Sequence, residues 1–260
     1  MPHVDSYPVG APCWFELATT DQAAAKAFYS AMFGWSANDN PMGEGSIYTM
    51  FELEGRSVGG GYLLNQQQTA RGVPPHWLVY FRVEDADASA AKAVSLGGTV
   101  ILPPFDVFEF GRMYIGQDPG GAYYSVWQTM KHAGAGIIHQ PNTFCWAELA
   151  TREPDKCRDF YSQLFGWSTK PHSMPGYTVW GAGGKDWGGI LTMDPQHWQG
   201  VPSHWSFYWS VTDCDAAAAK AVELGGKINF PPFDAPGVGK ICNINDPQGA
   251  SSYLIHLTGM

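Results

Sequence analysis

Two glutamates recur in the same local setting. Glu16 lies in Cys13-Trp14-Phe15-Glu16-Leu17-Ala18-Thr19, and Glu148 in Cys145-Trp146-Ala147-Glu148-Leu149-Ala150-Thr151. Both segments read as strands. Residues two apart on a strand share a face, so each glutamate sits beside a tryptophan, Trp14 or Trp146. A histidine recurs as well, in Pro75-His76-Trp77 and Ser203-His204-Trp205. Tyr80 and Arg82 continue the face of His76; Tyr208 and Ser210 continue that of His204. One carboxylate and one imidazole per half suit a general base and a general acid. They equally suit two ligands of an unconventional metal site, short of the usual three or four. The plainer alternatives are a histidine that bonds a backbone carbonyl, a glutamate paired for structure, and tryptophans that form core or pocket wall. An acidic side chain facing inward is expensive unless paired, so its retention in both halves favours a role for Glu16 and Glu148.

These pairs belong to a duplication. The Cys-Trp segment, Phe28-Tyr29-Ser30 and Phe33-Gly34-Trp35 all recur 132 residues later. His76-Trp77, Pro103-Pro104-Phe105-Asp106 and Asp118-Pro119 recur 128 residues later, which puts a four-residue deletion between Trp167 and Val201. The chain therefore divides into halves at 1–132 and 141–260, joined near 133–140.

Each half contains a weaker repeat. Trp14–Ala18 reads as a strand. Thr20 can cap a following helix, Asp21 favours its positive end, and Gly34 stops it. Ala24, Ala27, Phe28, Ala31 and Met32 form its apolar stripe. Strand-like runs follow at Trp35–Asn38, Ile47–Leu53 and Ser57–Leu64. The pattern restarts with a strand at His76–Val83, an Ala-rich helix opened by Asp85 and closed by Gly97-Gly98, and three more runs. The last two join through Asp118-Pro119-Gly120-Gly121, a glycine-assisted hairpin turn. The expected fold is α+β: two tandem domains, each of two βαβββ modules whose open mixed sheet forms a cup. A cup lined with inward side chains is a natural ligand site.

Paired βαβββ modules, the strand–Thr-Thr-Asp–helix run ending Phe33-Gly34-Trp35, and the Asp118-Pro119 hairpin resemble the vicinal oxygen chelate superfamily. That group holds glyoxalase I, bleomycin-resistance proteins and extradiol dioxygenases. The resemblance covers nearly the whole chain and is similar to the two-domain glyoxalase-like bacterial subgroup often labelled hydroxylases. It implies a divalent metal held by His and Glu on the first, fourth, fifth and eighth strands. Those positions fall here on Trp14 and Trp146, on Gly60–Leu63 and Gly188–Leu191, near Leu78 and Ser206, and on Ser125 and Tyr253. The standard metal ligands are thus missing in both halves. No cofactor is assigned, although a divalent metal on other residues stays open. The resemblance also implies that Glu16, Glu148, His76 and His204 point into cups walled by Trp14, Tyr80 and Arg82 in one half and Trp146 and Tyr208 in the other.

Bulk properties narrow the partners. The 260 residues carry a formal charge of −9, with 15 Lys and Arg scattered along the chain. Such a chain repels phosphate backbones and anionic lipid, so neither nucleic acid nor membrane is expected. No run reaches the roughly 20 apolar residues a spanning helix needs, and residues 1–9 lack the features of a signal peptide. Five cysteines without a Cys-x-x-Cys pair fit a reducing cytoplasm. Cys13 and Cys145 read as buried thiols, and Arg112 and Lys240 as solvated loop charges. Gly59-Gly60-Gly61 lacks what a phosphate loop requires and marks a closely packed strand.

Two functions remain: a lyase or isomerase acting on a small carbonyl or hydroxylated compound, or a non-catalytic protein that sequesters a flat molecule against aromatic walls. Single-domain relatives pair as dimers. Fused halves mimic that pair, so a monomer with internal pseudo-two-fold symmetry is expected, with a dimer the alternative.

Overall fold

The computed structural model describes residues 3–43 and 45–258. The first half runs β1 (Pro12–Thr19), α1 (Gln22–Phe33), β2 (Ser36–Gly43), β3 (Ser46–Leu53), β4 (Arg56–Leu63), α2 (Gln66–Ala70), β5 (His76–Val83), α3 (Ala86–Ser95), β6 (Thr99–Val107), β7 (Gly111–Gln117) and β8 (Tyr123–Thr129). The second runs β9 (Phe144–Thr151), α4 (Pro154–Phe165), β10 (Ser168–Pro171), β11 (Tyr177–Ala182), β12 (Lys185–Thr192), β13 (His204–Ser210), α5 (Cys214–Glu223), β14 (Lys227–Ala235), β15 (Gly239–Asn245) and β16 (Ser251–Leu257).

Each half folds into one eight-stranded open sheet, ordered β2-β3-β4-β1-β5-β8-β7-β6 and β10-β11-β12-β9-β13-β16-β15-β14. Within each module the first and last strands pair in parallel, as β1 with β4 and β5 with β8. The modules meet where β1 and β5, or β9 and β13, pair antiparallel. The expected α+β fold of tandem two-module domains is therefore present.

Local chemistry explains most boundaries. Asp21, not Thr20, caps α1: its carboxylate accepts from Ala24 N at 2.9 Å. Thr19 instead braces the turn through a bond from Asp21 N. Gly34 ends the helix at φ 73°, a left-handed conformation that favours glycine. Pro154 opens α4 without a side-chain cap. Asn65 and Gln68 form a reciprocal capping box that nucleates the short α2, which periodicity does not signal.

The register corrects one part of the repeat alignment. Glu16 pairs with Gly60, and Glu148 with Gly189. Gly189, not Gly188, is thus the counterpart of Gly60. The four-residue deletion is split, with one residue lost after β12 and the others before it.

The convex faces of the two sheets meet in one shared core. Phe15 stacks on Phe144 at 4.1 Å, Trp77 packs edge-on to Trp209 at 5.1 Å, and Phe81 packs against Trp205 at 5.1 Å. Polar clasps cross this core with two-fold regularity. Tyr29 donates to Asp246 at 3.0 Å, and Tyr161 to Asp118 at 2.9 Å. Trp77 and Trp205 donate in turn to those tyrosines. Trp35 reaches Asn142 O and Trp167 reaches Gly10 O, both at 2.8 Å. One asymmetry lies beside them: Trp167 stacks flat on Trp180 at 3.8 Å, where the first half puts Trp35 at a tilt to Phe51. The joining segment packs on the first half, with Ala135 N and Gly136 N donating to Cys13 O and Ser57 O.

Candidate functional site: a carboxyl between phenols in each cup

With the convex faces buried together, the concave faces open outward. Register defines what lines them, because paired residues on neighbouring strands share a face. In the first cup one row crosses the sheet as Trp14, Tyr80, Ser125, Ile115 and Leu102. The matching row of the second cup is Trp146, Tyr208, Tyr253, Asn243 and Phe230. Glu16 and Glu148 lie two residues on from the tryptophans, in the same cups.

Each carboxyl is gripped by phenols. Glu16 Oε1 accepts from Tyr48 at 2.9 Å, and Oε2 from Tyr80 at 2.6 Å. Trp14 Nε1 donates to Tyr48 at 2.9 Å, which turns the Tyr48 hydroxyl hydrogen toward the carboxylate. In the second cup Tyr208 donates to Glu148 Oε1 at 3.0 Å, and Trp146 Nε1 donates to Tyr177 at 2.9 Å. Burial raises the pKa of both carboxyls above the ordinary glutamate value; the hydroxyls of Tyr80 and Tyr48, or of Tyr177 and Tyr208, offset part of this. Burial and the nearby carboxylate also raise the tyrosines, Tyr62 to about 12. Each phenol therefore keeps its proton and serves as a donor.

Glycine makes the grip possible. A Cβ at Gly60 would overlap the Tyr48 hydroxyl, and one at Gly189 the Tyr177 hydroxyl. The bare backbone lets each ring lie across the strand and reach the carboxyl. Tyr48 and Tyr177 are the functional candidates that sequence reasoning missed. Their signal was the shared Tyr-Thr pair at Tyr48-Thr49 and Tyr177-Thr178, hidden by the split deletion.

The structure places His76 and His204 on the cup faces, paired with Ala18 and Ala150 one step along the strand from Glu16 and Glu148, without a hydrogen bond to the carboxyls. His76 Nδ1 lies 2.8 Å from Pro74 O, and His204 Nδ1 lies 2.9 Å from Pro202 O. Each is tied to its own strand entrance, with no bond to Glu16 or Glu148. Burial lowers the His76 pKa. Arg82 approaches Glu84 at 3.9 Å and makes no bond to Glu16. Cys13 and Cys145 are buried, and burial pushes Cys145 up to about 12. Arg112 and Lys240 bond Asp87 and Asp215 near the starts of α3 and α5, outside the cups.

The cups differ in cover. His132, at the end of the first half, stands edge-on to Trp14 at 4.5 Å and leaves that ring 4% exposed. Its buried Nε2 has no partner among the described residues, and burial pushes its pKa down to about 4, so the imidazole is neutral. No described aromatic ring covers Trp146, which stays half-buried. A groove of about 480 Å³ beside Asp213, Lys240 and His256 lies at the start of α5 on the helix side of the sheet, away from Glu148.

The donor set at the metal positions implied by the fold does not fit a metal. The indole nitrogens of Trp14 and Trp146 are donors already spent on tyrosines. Leu78 offers no donor atom, and tyrosine rings occupy the space beside Gly60 and Gly189.

Comparison with known proteins agrees with this architecture. The Glyoxalase/Bleomycin resistance protein/Dioxygenase superfamily model matches residues 12–126, and the Glyoxalase-like domain model matches residues 146–254. The protein of Mycobacterium bovis named as glyoxylase CFP32 is 40% identical over 254 residues, covering 96% of each chain. The anthracycline biosynthesis protein DnrV of Streptomyces peucetius is 35% identical over 263 residues, covering 95% of this chain and 94% of that one. The Mn(II)-bound glyoxalase of Novosphingobium aromaticivorans superposes with a TM-score of 0.67 at 14% identity, over 96% of this chain and 82% of that chain.

Proposed function

The chain belongs to the glyoxalase/bleomycin resistance protein/dioxygenase superfamily, and from that premise we propose that its cups act on a small, flat, oxygenated organic molecule by proton transfer, in lyase- or isomerase-type chemistry. The observation that carries this reading is a carboxyl, half-buried at Glu16 and buried at Glu148, that accepts from phenols at the same place in both halves. A carboxyl whose pKa is raised by burial is a stronger base than one in water and a proton donor nearer to neutral pH. Glu16 and Glu148 move the proton. Tyr48 and Tyr80, or Tyr177 and Tyr208, hold and orient the carboxyl. Trp14 and Trp146 orient the phenols. The relative named for anthracycline biosynthesis supports a flat polycyclic substrate, and the one named as a glyoxylase supports a carbonyl compound.

Anthrone, a flat tricyclic ketone with an acidic methylene, is a suitable first probe. In D2O the protein accelerates deuterium wash-in at that methylene, followed by NMR under argon. Glu16→Gln and Glu148→Gln lose turnover and keep affinity. Equal loss of affinity and turnover in both variants would overturn the reading in favour of capture without chemistry. That second reading is supported by Phe230 and Phe233, 58% and 45% exposed on the face of the second cup.

The same reading uses no metal, and the halves occupy each other's pairing faces, so the active form is a monomer. Elemental analysis of untagged protein that gives a near-stoichiometric divalent ion would overturn the first statement. A dimer mass by light scattering would overturn the second.

A further inference from the structure

The two cups share the carboxyl and the tryptophan but diverge along the row beside them. In the first cup the Glu16 row continues through Leu78, and Gln117 pairs with Tyr123 farther across the same sheet. In the second cup Glu148 pairs with Ser206, and Asn245 pairs with Ser251. Two substitutions between the halves, Leu78 to Ser206 and Tyr123 to Ser251, therefore replace large side chains by hydroxyls, while an amide is kept at Gln117 and Asn245.

The polar row is built up by amides. Asn229 Nδ2 donates to Asn243 Oδ1 at 2.8 Å and to Asn245 Oδ1 at 2.6 Å. Ser251 Oγ donates to Asn243 Oδ1 at 3.1 Å, and Asn243 Nδ2 donates to Ser252 O at 3.2 Å. Asn243 is thereby fixed and buried. Asn245 accepts through Oδ1, while its Nδ2 makes no bond among the described residues. Asn245 is half-buried and Ser251 exposed. The neighbouring row of the same cup, to which the buttressing Asn243 belongs, is otherwise aromatic: Trp146, Tyr208 and Tyr253, with Tyr208 and Tyr253 stacked at 4.6 Å and 12°.

From this pairing of rows we infer that the second cup is a selective site for fused aromatic molecules carrying hydroxyl or carbonyl oxygens along one edge. The aromatic row takes the ring face. Glu148, Ser206, Ser251 and Asn245 read the oxygenated edge. Neighbouring strands lie ~4.8 Å apart, close to the separation of the outer oxygens of a peri-dioxygenated tricycle. The first cup, with Leu78 and Tyr123 in place of Ser206 and Ser251, lacks this discrimination. The inference deepens the proposed function by naming a substrate class, and it rests on that reading for the placement of the ligand against Glu148.

The test is binding of 1,8-dihydroxyanthraquinone and of unsubstituted anthraquinone, each followed by quenching of tryptophan fluorescence. The variants are Ser206→Leu with Ser251→Tyr and Asn245→Gln, which install the first half's own residues, and the milder pair Ser251→Ala with Asn245→Leu, at exposed and half-buried positions. Loss of the hydrogen bonds to the ligand edge weakens binding of the dihydroxy compound about tenfold and leaves the unsubstituted compound within twofold. An unchanged ratio between the two compounds in both variants, or no preference for the dihydroxy compound in the wild type, overturns the inference. Failure of the proton-transfer reading is distinguishable. In that case Glu148→Gln leaves deuterium wash-in unchanged while the row variants still lose discrimination.

Discussion

A carboxyl enclosed by phenols and indoles responds to pH differently from one in water. The pKa of Glu16 and Glu148 is raised in the folded chain, chiefly by burial. A raised folded-state pKa contributes stability that is complete below the unfolded pKa and is lost as pH rises through the folded value. Denaturation in urea at pH 4 and pH 8 therefore gives a larger stability loss with rising pH for the wild type than for Glu148→Gln. Turnover by Glu148 as a base rises with pH through the same raised value. A pH–rate profile with its acidic limb above the ordinary glutamate range, absent in Glu148→Gln, checks the assignment; replacement of that group costs ~10²–10⁴-fold in rate. At this scale the glutamates and tryptophans were legible because both recur in one short segment. Tyr80 and Tyr208 were legible on the strands of the histidines, but Tyr48 and Tyr177 were not, since they reach the carboxyls from other strands across a shifted alignment. His76 and His204 recur as faithfully as the glutamates and share their cup faces, each with Nδ1 beside a proline carbonyl.

Strands and their glycines set what those side chains can reach. Gly60→Ala and Gly189→Ala each force a tyrosine off its carboxyl, because the added methyl overlaps a phenol whose ring lies over the backbone. Such overpacking destabilises by roughly 1–3 kcal/mol, measurable by chemical denaturation, and Tyr177→Phe combined with Gly189→Ala recovers part of the loss. Element types and order were readable from alternation, capping residues and the Asp-Pro hairpins. The exact registers were not, because a one-residue slip in a glycine-rich strand leaves the sequence pattern almost unchanged. The correspondence of Gly60 with Gly189 emerges only when β4 and β12 are paired with β1 and β9.

For the whole molecule, the shared convex core makes the halves thermodynamically inseparable. Tyr29 and Tyr161 each donate across it to a buried aspartate of the other half. Removing one such donor leaves a buried acceptor short of a partner and costs about 1–3 kcal/mol. Tyr29→Phe and Tyr161→Phe lower stability by similar amounts, and unfolding by circular dichroism and by fluorescence coincides in one transition. Two separate transitions would show that each half holds its own core. The duplication itself was evident from the repeated segments. The closeness of the union was not, since its contacts join residues distant in the chain, Tyr29 and Asp246 lying 217 positions apart.

One of those contacts gives the second half an optical signature. Trp167 and Trp180 lie parallel at 3.8 Å, and the first half has no equivalent indole pair. Two transition dipoles so close exchange excitation, and their chiral arrangement converts that exchange into a paired positive and negative band. Trp180→Phe abolishes the pair and leaves the other tryptophans in place. The chain thus carries a built-in spectroscopic label, confined to the half whose cup has the polar row, that reports the packing of that half's indoles.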